Sequence, residues 1–394
     1  MYTLLWSFLK QLAPTWRQTQ LANLSLLAHA LFKHQSLNLA ELARAYPVAT
    51  DHRVKEPKHI LFHQLKRLRR FLNNSRPDFD IVFRHLVKLG NVVYQGRSLV
   101  LPVLLDPTYF GDYTTIVIAV PRSGRALPVA IRAFKRNLEG EGETSQNEIV
   151  QKLVKGVRDQ IAETINMVLV ADREYANASF FQFLQSIQVG FAIRVDTQTW
   201  IEHADYKGPL GQLPIKPGGK RLWFVGALYG QEAREKVNLV AIWQADQKEP
   251  WFIATTLDDP KLASGLYRKR MKIEHGFRDW KHHLKLKGTL KVISAKRAQA
   301  LLRTLALLYW FLCLVGIRVN RPQHQARVCY RGKPSMFFLA LQLFKAGVDV
   351  ANQAGQRVAE WAYDQLWPYY PLPPAYKLRY LRFRPASLQF SGSP

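Results

Sequence analysis

Between residues 98 and 195, short apolar runs alternate with amphipathic stretches in an order that few folds accept. SLVLPVLLD, YTTIVIAVP and RALPVAIRAF follow one another across turn-rich joints and predict three strands. The loop EGEGETSQNE leads into EIVQKLVKGVRDQIAETI, whose apolar positions recur at helical spacing. NMVLVAD, ASFFQFLQSI and GFAIRVD then predict a strand, a helix and a strand. Three consecutive strands followed by alternating helix and strand predict an α/β fold, a mixed sheet with helices on its faces. With 394 residues, 48% of them hydrophobic, the chain can bury a sizeable core and more than one domain.

The flanks read differently. Residues 1–95 predict a helical, basic DNA-binding domain. In PKHILFHQLKRLRRFLNN the spacing turns Ile60, Leu61, Leu65, Leu68 and Leu72 inward and Lys66, Arg67, Arg69 and Arg70 outward. Residues 197–258 break the helix–strand alternation with Gly/Pro turns between strand-like pieces such as RLWFVGAL, VNLVAIW and WFIATTL, a β-rich insertion. Beyond it, 261–284 predicts one long helix, and 294–319 and 335–365 add helices. The expected division is therefore 1–95, 96–290 with the insertion inside it, and 291–394, a helical region for dimerisation or DNA contacts.

Charge narrows the class of partner. Lysine and arginine number 56 against 29 aspartates and glutamates, a formal net charge of +27 spread along the whole chain. That favours an extended polyanion, nucleic acid before an acidic membrane. The run 300–319 is the one membrane candidate. Arg303 interrupts it and leaves about 14 apolar residues where a span needs roughly 20, so a buried core helix is expected. The N-terminal stretch lacks the pattern of a secretory signal. Cys313 and Cys329 have no metal-type spacing, and a reducing cytoplasm is expected.

Acids mark the candidate site. Asp106 closes LVLPVLLD and Asp172 closes NMVLVAD, and residues that end buried strands emerge where sites in sheet proteins gather. A third acid lies in YRKRMKIEHGFRDWK (267–281), which holds seven basic residues counting His275. At about 100° per residue, Tyr267, Arg270, Glu274 and Lys281 fall at roughly 0, 300, 340 and 320°, one stripe about 60° wide. Arg278 and Lys285 fall close to it, and Asp279 lies roughly 140° from Glu274 and faces elsewhere. One carboxylate set among phosphate-capable donors on a single face suits phosphoryl transfer. Three carboxylates can hold two Mg²⁺ ions, and Arg and Lys beside them can grip phosphate oxygens.

At these residues the chain resembles the DDE transposases of bacterial insertion sequences, in the group marked by a Tyr-Arg-Glu-Lys signature. Y-RK-R-MKI-E-HGFRDW-K matches that signature's spacing in every interval, and DPT (Asp106, Thr108) and DREY (Asp172) resemble its strand-end motifs. The resemblance covers about 98–290. It implies a ribonuclease H-like mixed sheet flanked by helices, with a β-rich insertion and helical N- and C-terminal regions. It implies Asp106, Asp172 and Glu274 as ligands of two Mg²⁺ ions, for which Mn²⁺ substitutes, and Tyr267, Arg270 and Lys281 as phosphate contacts. It further implies cut-and-paste transposition through a hairpin intermediate, on double-stranded DNA bridged by a homodimer. The hairpin step in the group uses a tryptophan from the insertion. Trp251 is the positional match, with Trp243, Trp223 and Trp200 as competitors.

Other residues carry weaker expectations. His275 is expected to pack beside the site, and His282 and His283 to face DNA or solvent. Asp112 reads as part of a turn, Glu174 as a lesser neighbour of Asp172, and Lys135 and Arg136 as possible DNA contacts. Two alternatives stay open: a metal-dependent endonuclease of the same fold that does not join strands, and a non-catalytic DNA-binding regulator.

Overall fold

The computed structural model describes residues 1–44, 57–94, 100–137, 145–232, 234–286, 290, 294–326, 328 and 334–367, without the side chains of 57–59. Cys329, most of the EGEGETSQNE loop and the C-terminal stretch from 368 lie outside the described residues.

The apolar runs form strands as expected. They are β1 (Val100–Phe110), β2 (Tyr113–Arg122), β3 (Arg125–Lys135), β4 (Asn166–Ala171) and β5 (Gly190–Val195). Their spatial order is β3-β2-β1-β4-β5. β1, β2 and β3 pair antiparallel, whereas β1–β4 and β4–β5 pair parallel. This is the ribonuclease H-like arrangement. The parallel joints need crossovers. α6 (Gln146–Arg158) supplies the first and α7 (Ala178–Ser186) the second. Ser145 caps α6 by accepting from the Glu148 N–H at 3.2 Å, and Asn177 caps α7 by accepting from Phe180 at 2.9 Å.

The insertion is strand-rich, and it continues the same sheet. Its strands are β6 (Trp200–His203), β7 (Tyr206–Pro209), β8 (Leu222–Tyr229), β9 (Glu235–Ile242) and β10 (Trp251–Thr255). β10 pairs antiparallel with β5, and the order β10-β9-β8-β6-β7 extends the sheet to ten strands. The β6–β7 hairpin falls in a stretch that reads as turns. Its four-residue strands are too short to carry a periodic signal, and Gly208 (φ +153°) leaves no side chain at its middle.

Helices from both ends of the chain share one core. They are α1 (Tyr2–Leu12), α2 (Gln18–His34), α3 (Leu39–Arg44), α4 (Pro57–Asn73) and α5 (Phe79–Tyr94) at the N-terminal side. After β10 come α8 (Pro260–Arg268), α9 (Met271–Arg278), α10 (Ala295–Arg318), α11 (Pro322–Gln325), α12 (Met336–Lys345) and α13 (Asp349–Leu366). α10 is the hub. Phe8 of α1 meets Phe311 at 5.6 Å between ring centroids, and Arg303 reaches Asp80 of α5 at 2.9 Å. The Trp310 Nε1–H donates to the Pro128 carbonyl of β3 at 2.6 Å, and the Gln299 amide bonds β3 at Ile131 and Ala133. By length and composition α10 could cross a membrane, but its apolar window is 83% buried among these elements. It is a core helix, as its interruption by Arg303 suggests.

Candidate active site

Register brings two of the three acids level. β1 and β4 pair Leu104 with Val170, an offset of 170 − 104 = 66 residues. The same offset, 172 − 106 = 66, sets Asp106 opposite Asp172, which follows directly on the end of β4. Neighbouring parallel strands present side chains at one level to one face, so both carboxylates leave the sheet together.

The third acid comes from the segment expected as a single long helix, and here the structure differs. α8 starts at Pro260, capped by Asp259, whose carboxylate accepts from the Lys261 N–H at 2.7 Å. It ends at Arg268, and α9 begins at Met271. Between them the Arg270 N–H bonds to the Tyr267 carbonyl and the Ile273 N–H to that of Arg270, a tightened i→i+3 turn. Lys269 and Arg270 keep right-handed helical dihedrals, so the direction of the chain survives and the stripe holds over Tyr267, Arg270 and Glu274. Beyond Arg278 the helix is no longer regular. Residues 279–283 form a π-helical turn, with Leu284 N–H bonding to the Asp279 carbonyl, which shifts every later angle.

Arg270 is the centre of the site. Its Nη1 lies 3.3 Å from Asp106 Oδ2, and its Nη2 lies 3.9 Å from Asp172 Oδ2 and 2.5 Å from Glu274 Oε1. The residue is 9% exposed, and among the described residues its Nε–H has no hydrogen-bond partner. Burial alone would lower its pKa, and the surrounding Tyr267, Asp172, Asp106 and Glu274 reverse that, so it is held as a cation. Burial pushes the Asp106 carboxyl up to about 7; Arg270 opposes this while Glu274, Asp172 and Glu174 add to it. Tyr267 is buried, its phenol donating to Asp172 Oδ1 at 3.1 Å, and burial raises its pKa as well.

The donor set suits a hard divalent ion, since all three side chains offer carboxylate oxygens. Among the described residues no three acidic, histidine or cysteine side chains stand close enough to hold one ion as they are; the Arg270 guanidinium stands among them.

The remaining sequence candidates separate. Lys281, within the π turn, is half-buried with Nζ 5.9 Å from the Phe110 ring centroid, toward the end of β1. Arg278 and Lys285 are exposed, and Lys285 adopts a left-handed conformation (φ 52°). Trp251 is half-buried with its ring edge-on to Tyr267 at 5.0 Å between centroids, which puts it next to the acids through one aromatic neighbour. Trp243 donates to the Gln247 carbonyl, and Trp223 packs against the core. His283 is half-buried: it sits on Phe338 at 4.5 Å, with Nε2 3.7 Å from Asp279. Asp112 is exposed in the β1–β2 turn, and Glu174 accepts from Gln146 at 2.7 Å.

Away from the acids, α4 forms a basic ridge with a groove on each side. Phe62, Lys66, Arg69 and Arg70 line one together with Arg297 of α10. Asn23, His63 and Arg67 line the other. α4 itself contains no acid, and Phe62 is 60% exposed.

A mixed sheet in this strand order, flanked by helices, defines the ribonuclease H-like class of fold. Within that class, residues 137–311 match the family model of the transposase DDE domain, a stretch that includes Asp172 and Glu274 and begins after Asp106. Residues 137–311 are thus similar to the DDE domain of transposases. No curated protein matches the chain.

Proposed function

We propose that the chain is the transposase of an insertion sequence. In this reading it binds the element's terminal inverted repeats, cleaves them by Mg²⁺-dependent phosphoryl transfer through a hairpin intermediate, and joins them to target DNA as a dimer in the cytoplasm. The observation that carries the reading is the convergence of Asp106, Asp172 and Glu274, from three separate elements, on one guanidinium.

Asp106, Asp172 and Glu274 would hold two divalent ions. When bound, such ions activate the attacking hydroxyl or water and neutralise charge on the leaving oxygen. The chain's own groups do the rest. Arg270, held among the three acids, brings a guanidinium beside the place a phosphate would take. Tyr267 fixes Asp172 through its phenol and is itself braced by Trp251. Lys281 adds a point charge on the side of Phe110. The α4 ridge, acid-free and lined by bases on both flanks, is the surface suited to an inverted repeat.

Incubating the full chain with Mg²⁺, duplexes of the inverted repeats that bracket its gene, and a target plasmid tests this reading. Cleaved ends and joined product are expected. Nicks with no joined product would favour an endonuclease, and intact DNA would overturn the catalytic reading.

A further inference from the structure

Tyr109 lies three residues beyond Asp106 on β1, a separation of roughly 10 Å at about 3.3 Å per residue. Among the described residues it is the one aromatic of the sheet with more than a third of its surface exposed, at 46%. Phe110, its neighbour, is buried at 1%, and so are Phe134 of β3, Phe191 of β5 and Phe252 of β10, none above 1%. An aromatic left open just beyond Asp106 carries apolar surface whose burial against a ligand would be favourable.

Its surroundings point to the kind of ligand. The Arg136 guanidinium carbon stands 5.1 Å from the ring centroid, a cation–π contact that backs the ring with positive charge. Alternation along β1 sends Tyr109 to the face opposite Asp106. Glu174, bonded to Gln146 at the start of α6, stands near that face. The phenol's pKa is raised by burial and by Glu174, with Arg136 opposing and Asp106 adding, so the ring is electrostatically within reach of the acids. A DNA strand crossing the edge of the sheet would therefore meet the acids first and this ring beyond them.

We propose that Tyr109, backed by Arg136, is a stacking platform for an unpaired base of the DNA strand held at the acids. The proposal rests on the transposase reading for its substrate. At about 3.4 Å per stacked nucleotide, a backbone separation of roughly 10 Å sets the platform at least about three nucleotides from the attacked phosphate. An aromatic face accepts any base, so the platform supplies position without sequence preference. It is distinct from Trp251, whose ring leans on Tyr267 on the other side of Asp172.

The test uses duplexes of the flanking inverted repeats with 2-aminopurine at each of the terminal positions in turn, bound to the full chain in Ca²⁺. Wild type is expected to change the fluorescence most near the third position. Tyr109→Ala should abolish that change and weaken retention of a forked end about 5- to 150-fold, the range for losing one base–aromatic stack. Tyr109→Phe and Tyr109→Trp should restore both, and Arg136→Gln should diminish both. An unaltered profile in Tyr109→Ala, or a failure of Tyr109→Trp to rescue in a variant that melts like wild type, overturns the proposal. These outcomes are separable from failure of the transposase reading. If Tyr109→Ala keeps the fluorescence profile while wild type cleaves and joins, only the platform is lost. If wild type neither cleaves nor joins, the reading beneath it is lost too.

Discussion

Arg125 grips Asp279 through two hydrogen bonds, Nε to Oδ2 at 2.5 Å and Nη2 to Oδ1 at 3.2 Å, and so ties the start of β3 to the end of the helix that carries Glu274. The Tyr309 phenol of α10 adds a third donor at 3.1 Å. Burial pushes the Asp279 carboxyl up and Arg125 pulls it down, while Asp279 raises Arg125. Three donors aimed at a fully buried carboxylate favour the ionised pair.

Asp279→Ala strands the half-buried Arg125 guanidinium and should cost up to about 3 kcal/mol in urea unfolding. The double variant Arg125→Met, Asp279→Leu should recover most of it. A double variant no more stable than Asp279→Ala would show that the pair does more than neutralise itself.

Asp106→Ala, Asp172→Ala and Glu274→Ala should each lower DNA cleavage at least about a thousandfold, on the scale of removing a principal electrostatic group. Affinity for the inverted repeat, measured in Ca²⁺, should stay within a few-fold. Retained cleavage in any one of them removes that residue from the site.

The pKa of Asp106, near 7, links pH to metal binding. A ligating carboxylate must lose its proton, so Mn²⁺ binding should release close to one proton at about pH 6 and almost none at about pH 8. Calorimetry in two buffers of different ionisation enthalpy checks this. The same shift has a definite sign for stability: a raised carboxyl pKa favours the fold while the group is protonated, and that contribution is lost as pH rises through about 7. Asp106→Asn should therefore melt above wild type at about pH 8, with the gap narrowing as pH falls through about 7 and closing below about pH 4.

If α4 holds the inverted repeat, Lys66→Ala, Arg69→Ala and Arg70→Ala should weaken binding to any duplex alike. Each should also flatten the plot of log affinity against log salt by about one unit. Unchanged slopes would move the grip elsewhere.

Trp251→Ala should leave first-strand nicking in place and lower hairpin yield, because the ring reaches the acids only through Tyr267. A wild-type hairpin yield would assign that step to another side chain.

Much of the site was legible in particular residues. Asp106 and Asp172 close apolar runs, and a constant register brings them level. The angular count correctly set Tyr267, Arg270 and Glu274 together and Asp279 apart, because the tightened turn at Lys269 and Arg270 keeps helical dihedrals. Its extension to Lys281 passes through a π turn, which adds residues to one revolution and which no spacing rule anticipates. That Arg270 bridges all three acids depends on two elements distant in sequence, which local pattern does not encode. Nor did pattern reveal that the insertion extends the sheet, since β5 and β10 are joined by pairing across a long loop.

α10 touches both ends of this chemistry, with Arg297 at the α4 groove and Tyr309 on Asp279 behind Glu274. If α4 holds the inverted repeat, α10 acts as a ruler. The number of base pairs between the sequence gripped and the bond cut is then set by the length of one packed helix, and changing that number would require moving the core.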